Sequence, residues 1–318
     1  MSESIPARRR PLKVGLFLPM NEGQHDGKDP RWADFLAMAQ MAEAVGFDSV
    51  WLPDHLINKA DPANPRGPWE CWSVLSALAA ATKRVELGTA VICTGFRGPS
   101  LLAKMAETVD EISGGRLILG MGAGYHEPEY QAFGVPYDHR ASRFEEALTI
   151  IHTLLRKGEI DFEGTYYSAR ECELRPRGPR AGEIPILIGT RGERMLRLTA
   201  KYADMWNAWL VFGKSRADQV RPLRDMVDAA CRDVGRNPAT LERNIGVLVS
   251  PVGRTGQPLG AARIVEGVEA LTGSPAEIAE GLRAFAGEGV AHVQVYLNPS
   301  TTAGVEAFAP VLAELDRG

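Results

Sequence analysis

Residues 84–122, RVELGTAVICTGFRGPSLLAKMAETVDEISGGRLILGMG, decide the fold. Two apolar runs, Val85–Cys93 and Leu117–Met121, flank one amphipathic segment, Leu101–Ile112. Strand, helix and strand in that order make the β-α-β unit from which parallel sheets are built. Both runs are apolar nearly throughout, as strands covered on both faces are. Each runs out into small residues and glycines rather than charge. In parallel α/β folds the ligand sits beyond the C-terminal strand ends, so the same stretch marks the rim of a site.

The alternation continues in both directions. Upstream, Lys13–Pro19 and Ser49–Leu52 read as strands. Trp32–Val45 puts Phe35, Met38, Ala39, Ala42 and Val45 on one helical face and stops at Gly46, and Cys71–Ala81 is a second helix. Downstream, helices are predicted at Phe144–Leu155, Glu193–Tyr202, Ser215–Val234, Pro275–Ala286 and Val305–Leu315. Strands are predicted at Ile184–Ile188, Asp204–Ala208, Asn244–Ser250 and Val290–Leu297. Eight strands, each followed by a helix, predict an α/β fold, a (β/α)8 TIM barrel, as one domain over residues 12–318. An open doubly wound sheet is the alternative, but the first strand lacks its dinucleotide fingerprint. Three stretches interrupt the rhythm: 58–69 after strand two, 125–140 after strand four, and 159–174 (EIDFEGTYYSARECEL) before strand five. The last reads as a β-hairpin turning near Gly164. All three are candidates for a substrate pocket and its cover.

Bulk properties exclude several classes. The 318 residues carry a net charge of −4, with no basic excess to attract nucleic acid. No apolar run approaches the roughly 20 residues of a membrane helix. Residues 1–11, with Arg8, Arg9 and Arg10, read as a disordered tail; the short run after them lacks a signal cleavage site. The four cysteines form no CxxC and fit a reduced, cytoplasmic protein.

Gly120-Met-Gly-Ala-Gly124 fails the GxGxxG spacing because Tyr125 stands at the third glycine. It suits either a tight turn or close approach to a flat ligand. Ala208–Ser215 matches a relaxed P-loop pattern, but Trp209, Leu210, Val211 and Phe212 are poor material for a phosphate nest. Gly189-Thr-Arg-Gly-Glu-Arg194 follows a strand and opens a helix; its small residues, arginines and free helix N–H groups suit a phosphate. Asp54-His55 closes strand two, a place for proton transfer, cofactor contact or a structural hydrogen bond. His126, Glu127, Glu129 and His139 have no ligand spacing on a firm helix, so no metal is expected.

GFDSVWLPDH (46–55), the run 87–124, RFEEAL (143–148), FEGTYY (162–167) and PILIGTRGERMLRLTAKYADMWN (185–207) resemble the luciferase-like flavin monooxygenase family, the bacterial luciferase superfamily. More narrowly, they resemble its deazaflavin (coenzyme F420)-dependent oxidoreductase branch. The resemblance implies a ring lying at the barrel top against strand three. A non-prolyl cis peptide at Ala90–Val91 would form a bulge behind that ring, and Cys93 and Thr94 would line its face. His55 with Asp54 would be the catalytic pair. Gly122, Gly124 and Tyr125 would form the turn beside the ring, and Gly189, Thr190, Arg191 and Gly192 the phosphate loop. Sugar-phosphate dehydrogenases of the branch carry a catalytic Glu where Tyr125 stands, which argues against that activity. The implied reaction is hydride transfer between reduced F420 and a small organic substrate. The alternatives are an FMN-dependent monooxygenase using oxygen and a separate flavin reductase, and a non-catalytic flavin-binding protein. The resemblance also implies a homodimer through helices two and three, with apolar surface from Trp72, Leu75, Leu78 and Met105. A flavin or F420 reductase is an implied partner; nucleic acid and membrane are not.

Overall fold

The computed structural model of the chain describes residues 10–59, 61, 63–251 and 268–317. Within them the apolar runs form β1 (Lys13–Phe17), β2 (Ser49–Leu52), β3 (Glu86–Thr89), β4 (Ile92–Cys93) and β5 (Leu117–Gly122). They continue as β6 (Glu159–Glu163), β7 (Ser168–Glu173), β8 (Ile186–Gly189), β9 (Met205–Trp209), β10 (Glu242–Pro251), β11 (Leu271–Gly273) and β12 (His292–Leu297). The amphipathic segments form α1 (Trp32–Val45), α2 (Cys71–Ala81), α3 (Pro99–Ser113), α4 (Glu127–Ala132) and α5 (Arg140–Lys157). After them come α6 (Glu193–Tyr202), α7 (Val220–Asp233), α8 (Pro275–Gly287), α9 (Thr302–Ala307) and α10 (Ala309–Asp316).

The main strands pair in parallel in the order β12-β1-β2-β3-β5-β8-β9-β10, and β10 returns to β12. That closes the eight-stranded barrel. β4 resumes the third strand after its break and pairs with β5. Phe17, Trp51, Ala90, Ile118, Leu187, Met205, Leu248 and Tyr296, one from each barrel strand or its break, pack together inside. Below them the filling is polar. Trp51 Nε1 donates to Ser49 Oγ at 2.7 Å, Ser49 Oγ meets His292 Nε2 at 2.8 Å, and Asn207 Nδ2 donates to Gln294 Oε1 at 2.7 Å.

The structure differs from the sequence reading in four places. The third strand, read as Val85–Cys93, splits at Ala90–Val91, whose peptide is cis. The helix read from Ser215 starts at Val220, after a 3-10 turn at Ala217–Gln219. The last helix breaks at Phe308, because Pro310 is tolerated only in a first turn, where no N–H is required. Trp72, Leu75 and Leu78 are buried in this chain's own core, so they are not surplus surface. The apolar side chains that α3 exposes are Leu101 and Ile112, with Met105 partly buried.

The tail expected over 1–11 lies outside the described residues as far as Arg9. Arg10 is described, and its guanidinium bonds Asp48 at 3.2 Å and Asp316 at 2.8 Å. The hairpin is present as β6 and β7. It follows α5 rather than a barrel strand, so it starts at the barrel end opposite the C-terminal strand ends. It then runs back along α5, and Glu146 accepts from the backbone N–H groups of Thr165, Tyr166 and Tyr167 at its tip. Among the described residues, no helix is long and apolar enough to cross a membrane.

Candidate active site

The site grows out of the break in the third strand. Thr89 Oγ1 donates to Gly120 O at 2.8 Å and accepts from Gly120 N at 3.0 Å, fixing β3 to β5 just before the cis peptide. The Val91 side chain then projects between two strand ends. A Cβ on Gly122 would stand 2.8 Å from Val91 Cγ2, and one on Gly189 2.9 Å from Cγ1. Only glycine tolerates that approach on both sides. Gly124 turns with φ +69°, and a Cβ there would lie 2.0 Å from the Tyr130 hydroxyl. Gly120 and Gly122 thus lie in the last half of β5, and Gly124 makes the turn that follows it.

Asp54 and His55 are neighbours in sequence but take different partners. Asp54 Oδ2 accepts from Cys93 N at 2.9 Å, and the carboxylate takes both Arg97 guanidinium nitrogens at 2.7 and 3.0 Å. Arg97 also bonds Glu70. Burial pushes the Asp54 carboxyl above its ordinary value, opposed by the Arg97 hydrogen bonds. Asp54 therefore braces the end of the bulge, with its oxygens occupied. His55 Nδ1 faces Glu129 instead, 3.1 and 3.2 Å from the two carboxylate oxygens. Glu129 also accepts from Leu56 N at 2.9 Å.

Cys93 Sγ lies 2.8 Å from the Tyr130 hydroxyl, which donates to Ala123 O at 2.8 Å. The thiol therefore donates to Tyr130. Burial pushes it up to about 12, so it is a neutral wall rather than a nucleophile. Thr94 is buried beside it. Tyr125 is 70% exposed, with its ring edge toward His55 at 5.6 Å. Burial lowers His126, whose Nε2 accepts from Lys59 N at 3.0 Å.

At the end of β8, Thr190 N bonds Asn207 O at 3.3 Å and Thr190 O accepts from Trp206 Nε1 at 2.9 Å. Gly192 is the N-cap of α6 and has no side chain to satisfy the first-turn N–H groups. A Cβ on Gly192 would meet nothing within 4 Å. Those amides suit an anion such as a phosphate. The Arg191 guanidinium is turned aside to Trp209 O, and Arg194 bonds Ser142 and Glu145. A groove of about 410 Å³ between α5, the hairpin tip and α6 includes Arg194 and Tyr166 but none of the expected ring-contact residues. Among the described residues, no group of His, Cys, Asp and Glu is arranged to hold a metal.

The structure thus brings Ala90, Val91, Cys93, Thr94, Gly122 and Gly124 around one bulge and sets His55 and Tyr125 together beside it. Arg97, Glu129 and Tyr130, which hold these pieces, were not among the expected site residues. Glycine-lined backbone, a partly exposed imidazole and an uncapped helix start fit a flat, phosphorylated cofactor.

A relative from Archaeoglobus fulgidus, a 5,10-methylenetetrahydromethanopterin reductase, is 27% identical over 252 residues, 79% of this chain and 70% of its own length. An F420-dependent glucose-6-phosphate dehydrogenase of Microbacterium testaceum is 34% identical over 178 residues, 54% of this chain and about half, 51%, of that one. Among solved structures, an F420-dependent secondary alcohol dehydrogenase in complex with an F420-acetone adduct superposes with a TM-score of 0.77 at 19% identity, covering 96% of this chain and 99% of that one. The monooxygenase RslO1 from Streptomyces bottropensis gives 0.76 at 20% identity, covering 95% and 98%. Both share the fold. The sequence profile of the family described as luciferase-like monooxygenase matches residues 12–257. With that match over most of its length, the chain belongs to the luciferase-like monooxygenase family of oxidoreductases.

Proposed function

We propose that this chain is an F420-dependent oxidoreductase acting on a small, uncharged organic substrate, with His55 managing the substrate's proton. The observation that carries the reading is a partly exposed imidazole, held from behind by Glu129, beside a glycine-lined bulge. Bound deazaflavin would supply or accept the hydride. The chain's own residues do the rest. Val91, pressed between Gly122 and Gly189, shapes the surface behind the ring. The first-turn amides of α6 hold phosphate. His55 gives or takes a proton at the substrate oxygen. Tyr125, rather than an acid, follows the glycine turn, which disfavours a sugar phosphate as substrate. The 34%-identical relative is an F420-dependent dehydrogenase, which supports the cofactor assignment.

The second reading is an FMN-dependent monooxygenase served by a separate reductase, favoured by the family itself. Fluorescence quenching of F420 and of FMN on titration with purified protein separates the two. Tighter binding of F420 and turnover without oxygen uptake are expected. Tighter FMN binding with oxygen consumption rejects the first reading. A bound, reducible ring with no turnover would leave a flavin-binding protein. A homodimer and a cytoplasmic location complete the proposal. The location is supported by four cysteines that are all free in this chain.

A further inference from the structure

Glu129 is the third residue of the short helix α4. Its side chain is 2% exposed, whereas that of His55 is 28% exposed. Both of its oxygens lie within hydrogen-bond distance of His55 Nδ1, and Oε2 also accepts the Leu56 N–H. We propose that Glu129 is a positioning residue that sets the tautomer of His55, placing the ring proton on Nδ1 and leaving Nε2 as the proton-accepting atom toward the substrate. The inference rests on the reading that His55 handles the substrate's proton.

The donor inventory leads to this arrangement. An ionised carboxylate only accepts, so the nitrogen facing it has to donate. A neutral imidazole has one N–H, so a proton on Nδ1 leaves a lone pair on Nε2. Nε2 makes no hydrogen bond to any described residue, and Tyr125 approaches the ring only by an aromatic edge. His126 uses Nε2 to accept the Lys59 N–H, and among the described residues its ring makes no hydrogen bond to the Glu129 carboxylate.

The helix holds the carboxylate still. Tyr130, next to Glu129, donates to Ala123 O and accepts from Cys93 Sγ. One turn of helix therefore ties the loop after β2, the glycine turn after β5 and the end of the bulge together. The same turn sets which nitrogen of His55 is free.

The test is nitrogen-15 NMR of the six histidines in the ligand-free protein at pH 8, with His55 assigned by the signals lost in His55→Ala. In the wild type the proton is expected on Nδ1; a proton on Nε2 overturns the proposal without any further variant. In Glu129→Gln the amide oxygen is expected to take the Leu56 N–H, turning the amide nitrogen toward Nδ1 as a donor. That moves the ring proton to Nε2. Turnover should then fall roughly 10- to 100-fold with KM nearly unchanged, as for other lost outer partners of a functional histidine. An unchanged tautomer in Glu129→Gln, or a loss confined to melting temperature, makes Glu129 merely structural and rejects the proposal. If neither F420 nor FMN supports turnover, the proposed function fails, and the spectra still decide the tautomer.

Discussion

Val91 occupies the space a side chain on Gly189 would need: a Cβ there would stand 2.9 Å from Val91 Cγ1. Gly189→Ala is expected to destabilise the protein by about 1–3 kcal/mol, the usual range for overpacking. It should also weaken cofactor binding, because the bulge has to shift. Val91→Ala in the same chain should restore much of both. Urea unfolding of the two single variants and the double variant gives the coupling, and additive effects would show that the two residues do not press on each other.

The Asp54–Arg97 pair makes a second prediction. The Asp54 side chain is fully buried and that of Arg97 is 11% exposed. Arg97→Met leaves a buried carboxylate without its cation, which typically costs about 3–5 kcal/mol. Adding Asp54→Asn should recover part of the loss. Denaturation midpoints of the two variants decide it; an unchanged midpoint for Arg97→Met would mean that Asp54 does not depend on the pair.

His55→Ala should lower kcat with the preferred cofactor by about 10²- to 10⁴-fold, the ordinary worth of a general acid or base. The melting temperature should change little, since the ring is partly exposed. A large fall in melting temperature with unchanged kcat would make His55 structural.

His292 gives a pH dependence of known sign. Burial and, secondarily, Lys13 lower its imidazole from 6.5 to about 3. In the folded chain it stays neutral, while in the unfolded chain it takes a proton near 6.5. Its contribution is therefore complete above about 6.5 and is lost progressively as pH falls toward 3. Between pH 7.5 and pH 5 the loss is about 2 kcal/mol. Urea unfolding at the two pH values should show this loss in the wild type and a smaller one in His292→Gln. Equal losses in both would assign the pH dependence elsewhere.

The homodimer, if formed through α3, uses Leu101 and Ile112, which are exposed, rather than the buried Trp72. Light scattering should give twice the chain mass for the wild type and one chain mass for Leu101→Glu/Ile112→Glu. A wild-type monomer at micromolar concentration rejects the dimer.

The barrel was legible because strand and helix periods are written locally: the eight apolar runs and the faces of α1, α2 and α6 need no distant information. The rim was legible too, since glycines and His55 stand at strand ends. The braces were not. Glu129 meets His55 across 74 positions, Arg97 meets Asp54 across 43, and Tyr130 meets Cys93 across 37. Such pairs leave no periodic trace, and the sequence neighbour of His55, Asp54, was a plausible wrong partner. Glu129 carries no local signal, because its short helix sits in a polar, aromatic stretch without an apolar period.

The β6–β7 hairpin enters from the far end of the barrel, and its tip is held to α5 by Glu146. Residues 164–167 lie outside every barrel strand and every strand-to-helix connection. Novelty in the entrance and constancy in the reaction centre are thereby written in separate parts of the chain, and a lineage is free to revise the one while it inherits the other.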